Sequence, residues 1–97
     1  MALKVVWTAP AQAQRKSILS YWVKRNGSSG YSVKLDLRIR SVLRMISRNP
    51  GLGRPTSFPE VRVKTIGDYL LFYRVEDSVI VVLVLWDARQ DPERLKL

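Results

Sequence analysis

VRVKTIGDYLLFYRVEDSVIVVLVLWDAR (61–89) holds three strand-like segments joined by two short turns. In VRVKTI (61–66), Val61 and Val63 alternate with Arg62 and Lys64, the pattern of a strand with one buried and one open face. YLLFYRV (69–75) follows the tight connection Gly67-Asp68, a reversal of the favoured Asp-Gly order. VIVVLVLW (79–86) follows Glu76-Asp77-Ser78 and is apolar on both faces, which predicts a central strand covered on both sides. Turns this short force antiparallel pairing, so the segment reads as a meander. With Val61 and Val63 turned to the core, Arg62 and Lys64 are expected on the opposite, open face.

Upstream, LKVVW (3–7) reads as a short strand. Thr8 offers an N-cap and Pro10 falls in the first turn of a helix over about 9–25, with Ala11, Ile18, Leu19 and Trp22 at helical spacing. Asn26-Gly27 ends it, and Ser28 or Ser29 caps a second helix over about 30–48. In that helix Tyr31, Leu35, Ile39, Val42, Leu43 and Ile46 share one arc, while Lys34, Arg38, Arg40, Arg44 and Arg48 share the opposite one. Leu37 and Met45 project onto the basic side, as ordinary exposed apolar residues or as partner contacts. NPGLGRPTSFPE (49–60) is a loop expected to be ordered by Leu52 and Phe58 packing down, and the polar tail DARQDPERLKL (87–97) runs over the surface. The fold expected is α+β: a strand, a helical hairpin, then a three-stranded antiparallel meander, with both helices on one sheet face.

The 97 residues form one domain, 1–97, with no repeat and no linker. Without Cys there is no disulfide framework or thiol chemistry; without His there is no Ser-His-Asp triad and no usual neutral-pH base. The longest apolar run is Val79–Trp86, too short to cross a bilayer, and the start has no secretory pattern, so a cytoplasmic protein without membrane attachment is expected. No cofactor motif is present, and Asp91 with Glu93 is a weak basis for a metal site. The net charge is +9, and all of it lies in residues 1–48, which hold ten basic residues and one acidic residue, Asp36. Such asymmetry calls for an anionic partner.

Two groups of candidate residues follow. Arg15, Lys16, Lys34, Arg38, Arg44 and Arg48 of the helices are candidates for partner binding. Arg62, Lys64, Arg74 and Arg89 are candidates for gathering on the open sheet face, where they would grip a phosphate and stabilise developing charge. The alternative for the strand cations is solvation, or pairing of Arg74 with Glu76, Asp77 or Asp87. Trp7, Trp22 and Trp86 lie on apolar faces and read as core rather than base-stacking platforms.

Asn49-Pro50 through Gly53-Arg54, Val61-Arg62, Tyr69-Leu-Leu-Phe-Tyr73-Arg74-Val75, and the apolar strand into Trp86 and Arg89 together resemble the RelE/ParE superfamily of type II toxin–antitoxin toxins. The resemblance spans nearly the whole chain. It implies a toxin neutralised by a cognate acidic antitoxin protein. RelE-like members cleave mRNA on the ribosome; ParE-like members poison DNA gyrase. The resemblance gives Arg62 and Lys64 a RelE-like second-strand role and Arg89 a post-strand role, with Lys64 as the proton-transfer group. The early third-strand position is Leu70 and the C-terminal aromatic position falls near Leu95, both departures from an RNase. The Pro-x-x-Gly-Arg loop and the Tyr-x-x-x-Tyr-Arg strand are closer to ParE. The expected activity is therefore gyrase inhibition through the helical hairpin, as in plasmid stabilisation systems. The alternatives are a ribosome-dependent mRNA endoribonuclease and a non-toxic nucleic-acid-binding domain.

Overall fold

The computed structural model describes residues 2–95 and 97. Along the chain lie β1 (Lys4–Trp7), α1 (Ala9–Asn26), α2 (Gly30–Arg48), β2 (Arg54–Pro55), β3 (Arg62–Ile66), β4 (Tyr69–Glu76), β5 (Val79–Asp87) and a short 3-10 turn (Pro92–Arg94). The strands form one sheet in the order β1-β5-β4-β3-β2. The expected meander is present: β3, β4 and β5 pair antiparallel. Two additions were not expected. β1 pairs parallel with β5, Lys4 opposite Val79 to Trp7 opposite Val82. The loop contributes β2, which pairs Arg54 with Val63 and Pro55 with Arg62. β5 is thus an interior strand, which accounts for its apolar residues on both faces.

Both helices lie on one face. The main core joins Leu35, Ile39, Leu43 and Ile46 of α2 and Ala11 of α1 to Ile66, Tyr69, Leu71, Tyr73, Ile80, Val82 and Leu85 of the sheet. Tyr31, expected on the inward arc, is exposed, and its ring packs edge-on against Trp22, with centroids 4.8 Å apart. The caps follow the sequence in part. Thr8 Oγ1 accepts from Ala11 N–H at 3.3 Å, and Gly27 closes α1 with φ 68°. Ser29 occupies the N-cap of α2 but makes no side-chain cap bond.

Where β1 stops, α1 takes over the exposed edge of β5. Thr8 Oγ1 donates to Leu83 O at 3.2 Å, and Gln14 Oε1 accepts from Leu85 N–H at 2.9 Å. Two side chains thereby satisfy strand groups that would otherwise lie buried without a partner.

The parity expected for β3 is reversed. Ile66 belongs to the core under the helices, so Arg62 and Lys64, two and four residues before it, face the helix side. Val61 and Val63 pack on the opposite face with Phe72 and Val84. That face is not open: these four residues are buried, and Leu70, Leu83, Trp86 and Leu95 of the tail pack against them. A second small core, invisible as such in the alternation of β3, decides which way the strand turns.

The turns carry different strain. Gly67 has φ 59°, and Asp68 does not take a positive φ, so the reversed Gly-Asp order suits a turn needing glycine first. In the β4–β5 turn both Asp77 (φ 50°) and Ser78 (φ 62°) are left-handed, and neither is glycine. Ser78→Gly should therefore stabilise the fold by roughly 0.5–1 kcal/mol, the left-handed penalty less the added freedom of glycine in the unfolded chain. Thermal unfolding followed by circular dichroism should show a midpoint raised by about 2–8 °C.

Candidate functional site

The four strand cations do not assemble. Arg62 Nη1 donates to Gly53 O at 2.7 Å and so supports the 49–55 loop. Lys64 follows on the same side of β3, half-buried. Arg74 lies one residue past Tyr73, on the other face of β4, paired with Glu76 at 2.9 Å. Arg89 lies past the far end of β5 and forms a two-pronged bond with Asp87, at 3.0 and 2.8 Å. Those bonds from Arg89 hold the Asp87 carboxyl below the usual carboxylate range, and they push the Arg89 guanidinium up. Register separates the ends further: Arg62 sits opposite Tyr73, whereas Asp87 sits opposite Tyr69, a strand's length away. The expected convergence on one open face thus fails, because strand parity turns Arg62 and Lys64 toward the helices while carboxylates engage Arg74 and Arg89.

Tyr73 explains the loop motif. Fully buried, its hydroxyl accepts from Gly53 N–H at 2.8 Å and donates to Pro50 O at 2.8 Å. A Cβ on Gly53 would lie 2.7 Å from that hydroxyl and 3.0 Å from Val63 O, so the position admits only glycine without a shift. Leu52 packs on the core as expected, whereas Phe58 is exposed. Burial raises the Tyr73 phenol, and burial likewise raises that of Tyr69, which accepts from Trp22 Nε1 at 2.7 Å and ties α1 to the sheet. All three tryptophans are part-buried against a core cluster.

The helix cations divide. Arg15 is structural: its guanidinium lies 4.9 Å from the Trp7 ring centroid and 2.7 Å from Asp36, with side chains 19% and 18% exposed. Asp36 also meets Arg40 at 3.1 Å. The one carboxylate of residues 1–48 is thus spent joining α1 to α2, and Arg15 leaves the partner-binding set. Asp36→Asn should cost roughly 1–2 kcal/mol, since a half-sheltered guanidinium loses its charged acceptor. Urea unfolding checks this; an unchanged midpoint would contradict it.

Lys16, Lys34, Arg38, Arg44 and Arg48 are exposed and, among the described residues, form no ion pair. On α2 they alternate with Val33, Leu37 and Met45, each about half exposed. At 100° per residue these residues fill the arc opposite Leu35, Ile39 and Ile46. The surface is therefore cationic and apolar together. The helical period places Leu37 and Met45 there, and Val33 obeys the same period. Arg38 reaches the β3–β4 turn, its Nη1 3.4 Å from where a Gly67 Cβ would stand. Grooves on the surface are shallow, about 300–420 Å³. Among the described residues no group of three acidic ligands stands ready for a metal, and no helix is long and apolar enough to cross a membrane.

A structure from the chromosomal ParDE toxin–antitoxin system of P. aeruginosa is similar in fold: TM-score 0.78, 24% identity, covering 91% of this chain and 98% of that one. The toxin–antitoxin complex RelBE2 from Mycobacterium tuberculosis is similar at TM-score 0.62 and 17% identity, covering 90% and 99%. No curated protein matches the sequence. The family described as ParE toxin of type II toxin-antitoxin system, parDE, matches residues 5–92. With the strand–helix–helix–strands order, the glycine loop pinned beneath Tyr73 and a match over nearly its whole length, the chain belongs to the ParE family of type II toxins.

Proposed function

We propose that this toxin inhibits DNA gyrase in the cytoplasm by binding it, with no bond-breaking chemistry of its own, and that an acidic antitoxin neutralises it. One observation carries the reading. Lys34, Arg38 and Arg48 on the outer surface of the helical hairpin form no ion pair among the described residues, whereas three of the four candidate cations at the sheet are engaged, Arg62 by a carbonyl and Arg74 and Arg89 by carboxylates. A phosphodiester-cleaving site needs several charges aimed at one point; a docking surface needs charge and apolar area spread over a face. Val33, Leu37 and Met45 among Lys34, Arg38 and Arg48 supply the second kind.

The test is a supercoiling assay with purified gyrase, alongside a ribosome-programmed mRNA cleavage assay. Loss of supercoiling or trapped cleavage complexes, with mRNA intact, is expected. Intact supercoiling with cut mRNA would overturn the reading and restore Lys64 and its neighbours to an RNase. The double variant Lys64→Ala, Arg89→Ala should remain toxic in cells, since neither residue belongs to the outer surface.

A further inference from the structure

The exposed residues of α2 fall into rows. Lys34, Arg38, Ser41, Met45 and Arg48 follow one another at steps of four, three, four and three residues, which on an α-helix makes one straight row. All five are exposed. Val33 and Leu37 lie beside the row, on the side where Asp36 meets Arg15 of α1. The row thus carries three full charges, a hydroxyl and one apolar side chain over about 21 Å, at a rise of about 1.5 Å per residue. No acidic residue belongs to it. Asp36, the one carboxylate of α2, is held between Arg15 and Arg40. Asp68 adjoins Gly67, near which Arg38 ends, yet no ion pair joins Asp68 to Arg38 among the described residues.

This arrangement selects a ligand. The helix is anchored through Leu35, Ile39 and Ile46 in the core, so the spacing of its charges is fixed. A ligand that meets all three must itself hold charges in line over the same length. One strand of duplex DNA presents about six phosphates in about 21 Å, at about 3.4 Å each along the axis. Ser41 adds a hydroxyl of the kind that bonds phosphate oxygens. Gripping a single strand would ask for aromatic platforms, and none stands within the row. Tyr31, one turn before it, packs its ring edge-on against Trp22.

We propose that the row Lys34–Arg38–Ser41–Arg48 binds the phosphate backbone of duplex DNA. Its side chains meet phosphates and not base edges, so the contact reads no sequence. The duplex in question is the one that gyrase works on: the cation row holds the DNA while Val33 and Leu37 meet protein beside it. That assignment of the duplex rests on the gyrase reading; the affinity for DNA does not. Binding of naked DNA and inhibition of supercoiling are separate measurements, so either idea can fail without the other.

Fluorescence anisotropy of a short labelled duplex with the full chain, gyrase absent, provides the test. Raising salt from about 50 to about 200 mM should weaken binding about 40-fold, the change expected for three phosphate contacts. Lys34→Ala, Arg38→Ala and Arg48→Ala should each lower the slope of log affinity against log salt by about 0.9. Lys24→Ala, an exposed cation of α1, should leave the slope unchanged. A duplex of scrambled sequence should bind equally well. Three results would overturn the proposal: no binding at the lower salt, a slope that the three row variants leave intact, or a polyglutamate peptide bound as tightly as the duplex, which would give the row to an acidic protein segment. If the slopes fall as stated while supercoiling is untouched, the DNA contact stands and the gyrase reading alone fails.

Discussion

Gly53→Ala should destabilise the protein by roughly 3–5 kcal/mol, a large share of a typical domain's stability of about 5–15 kcal/mol. The added carbon meets the Tyr73 hydroxyl at 2.7 Å, its ring edge at 2.8 Å and Val63 O at 3.0 Å. None of these can withdraw cheaply. Tyr73 is fully enclosed, its hydroxyl is bonded at both ends, and Val63 O belongs to β3. If the ring moves, the buried Gly53 N–H loses its acceptor, a further cost of about 1–3 kcal/mol. If the loop moves, Arg62 loses its carbonyl and β2 its register. Tyr73→Phe should cost about 2 kcal/mol, because two backbone groups lose one shared partner. The double variant should be less destabilised than the sum, since deleting the hydroxyl removes the tightest contact. Denaturant unfolding of the three variants measures all of this, and a Gly53→Ala protein within about 1 kcal/mol of the parent would refute the account.

Reversing Lys34, Arg38 and Arg48 together to Glu should reduce the proposed association with gyrase by one to two orders of magnitude at low salt and abolish toxicity. Each reversal removes two units, taking the net charge from +9 to +3. The three side chains are exposed and free of ion pairs among the described residues, so folding should change by less than about 1 kcal/mol. Steering charges act mainly on the encounter rate, by about 10–10³-fold, and fade as salt rises. The parent and the triple variant should therefore converge in high salt. If they differ equally at all salt concentrations, or if the variant still poisons cells, the hairpin's outer surface is not the binding face. Leu37→Ser separates the apolar contribution: it should weaken binding without altering the salt dependence.

Much of the architecture was readable because its signals are local. Helix periods, Pro10, Gly27 and the turn at 67–68 each announce an element, and both helices end within a residue of expectation. What escaped depends on contacts distant in sequence. Alternation in 61–66 gives the period but not the direction: Val61 and Val63 suited either face until Phe72, Val84 and Leu95 were known to build a second core. Arg15 looked like any exposed helical cation, since neither Trp7 nor Asp36 lies within a helical turn of it. Arg62 looked like a phosphate ligand because guanidinium suits phosphate; suiting a loop carbonyl equally well leaves no mark in sequence. The pairs Arg74–Glu76 and Arg89–Asp87 were legible in principle, two residues apart on a strand or just past its end.

The parallel match of β1 to β5 has a consequence for synthesis. Lys4 sits opposite Val79, so 75 residues must follow it before the first strand meets its neighbour. Contacts of such separation form slowly, because most of the chain must be gathered before they yield any stabilisation. A nascent chain still held by the translating ribosome can wind its helices yet lacks the strand that unites them. The poison thus comes into being only once β5 has been made, leaving an interval in which a waiting inhibitor meets it half-made.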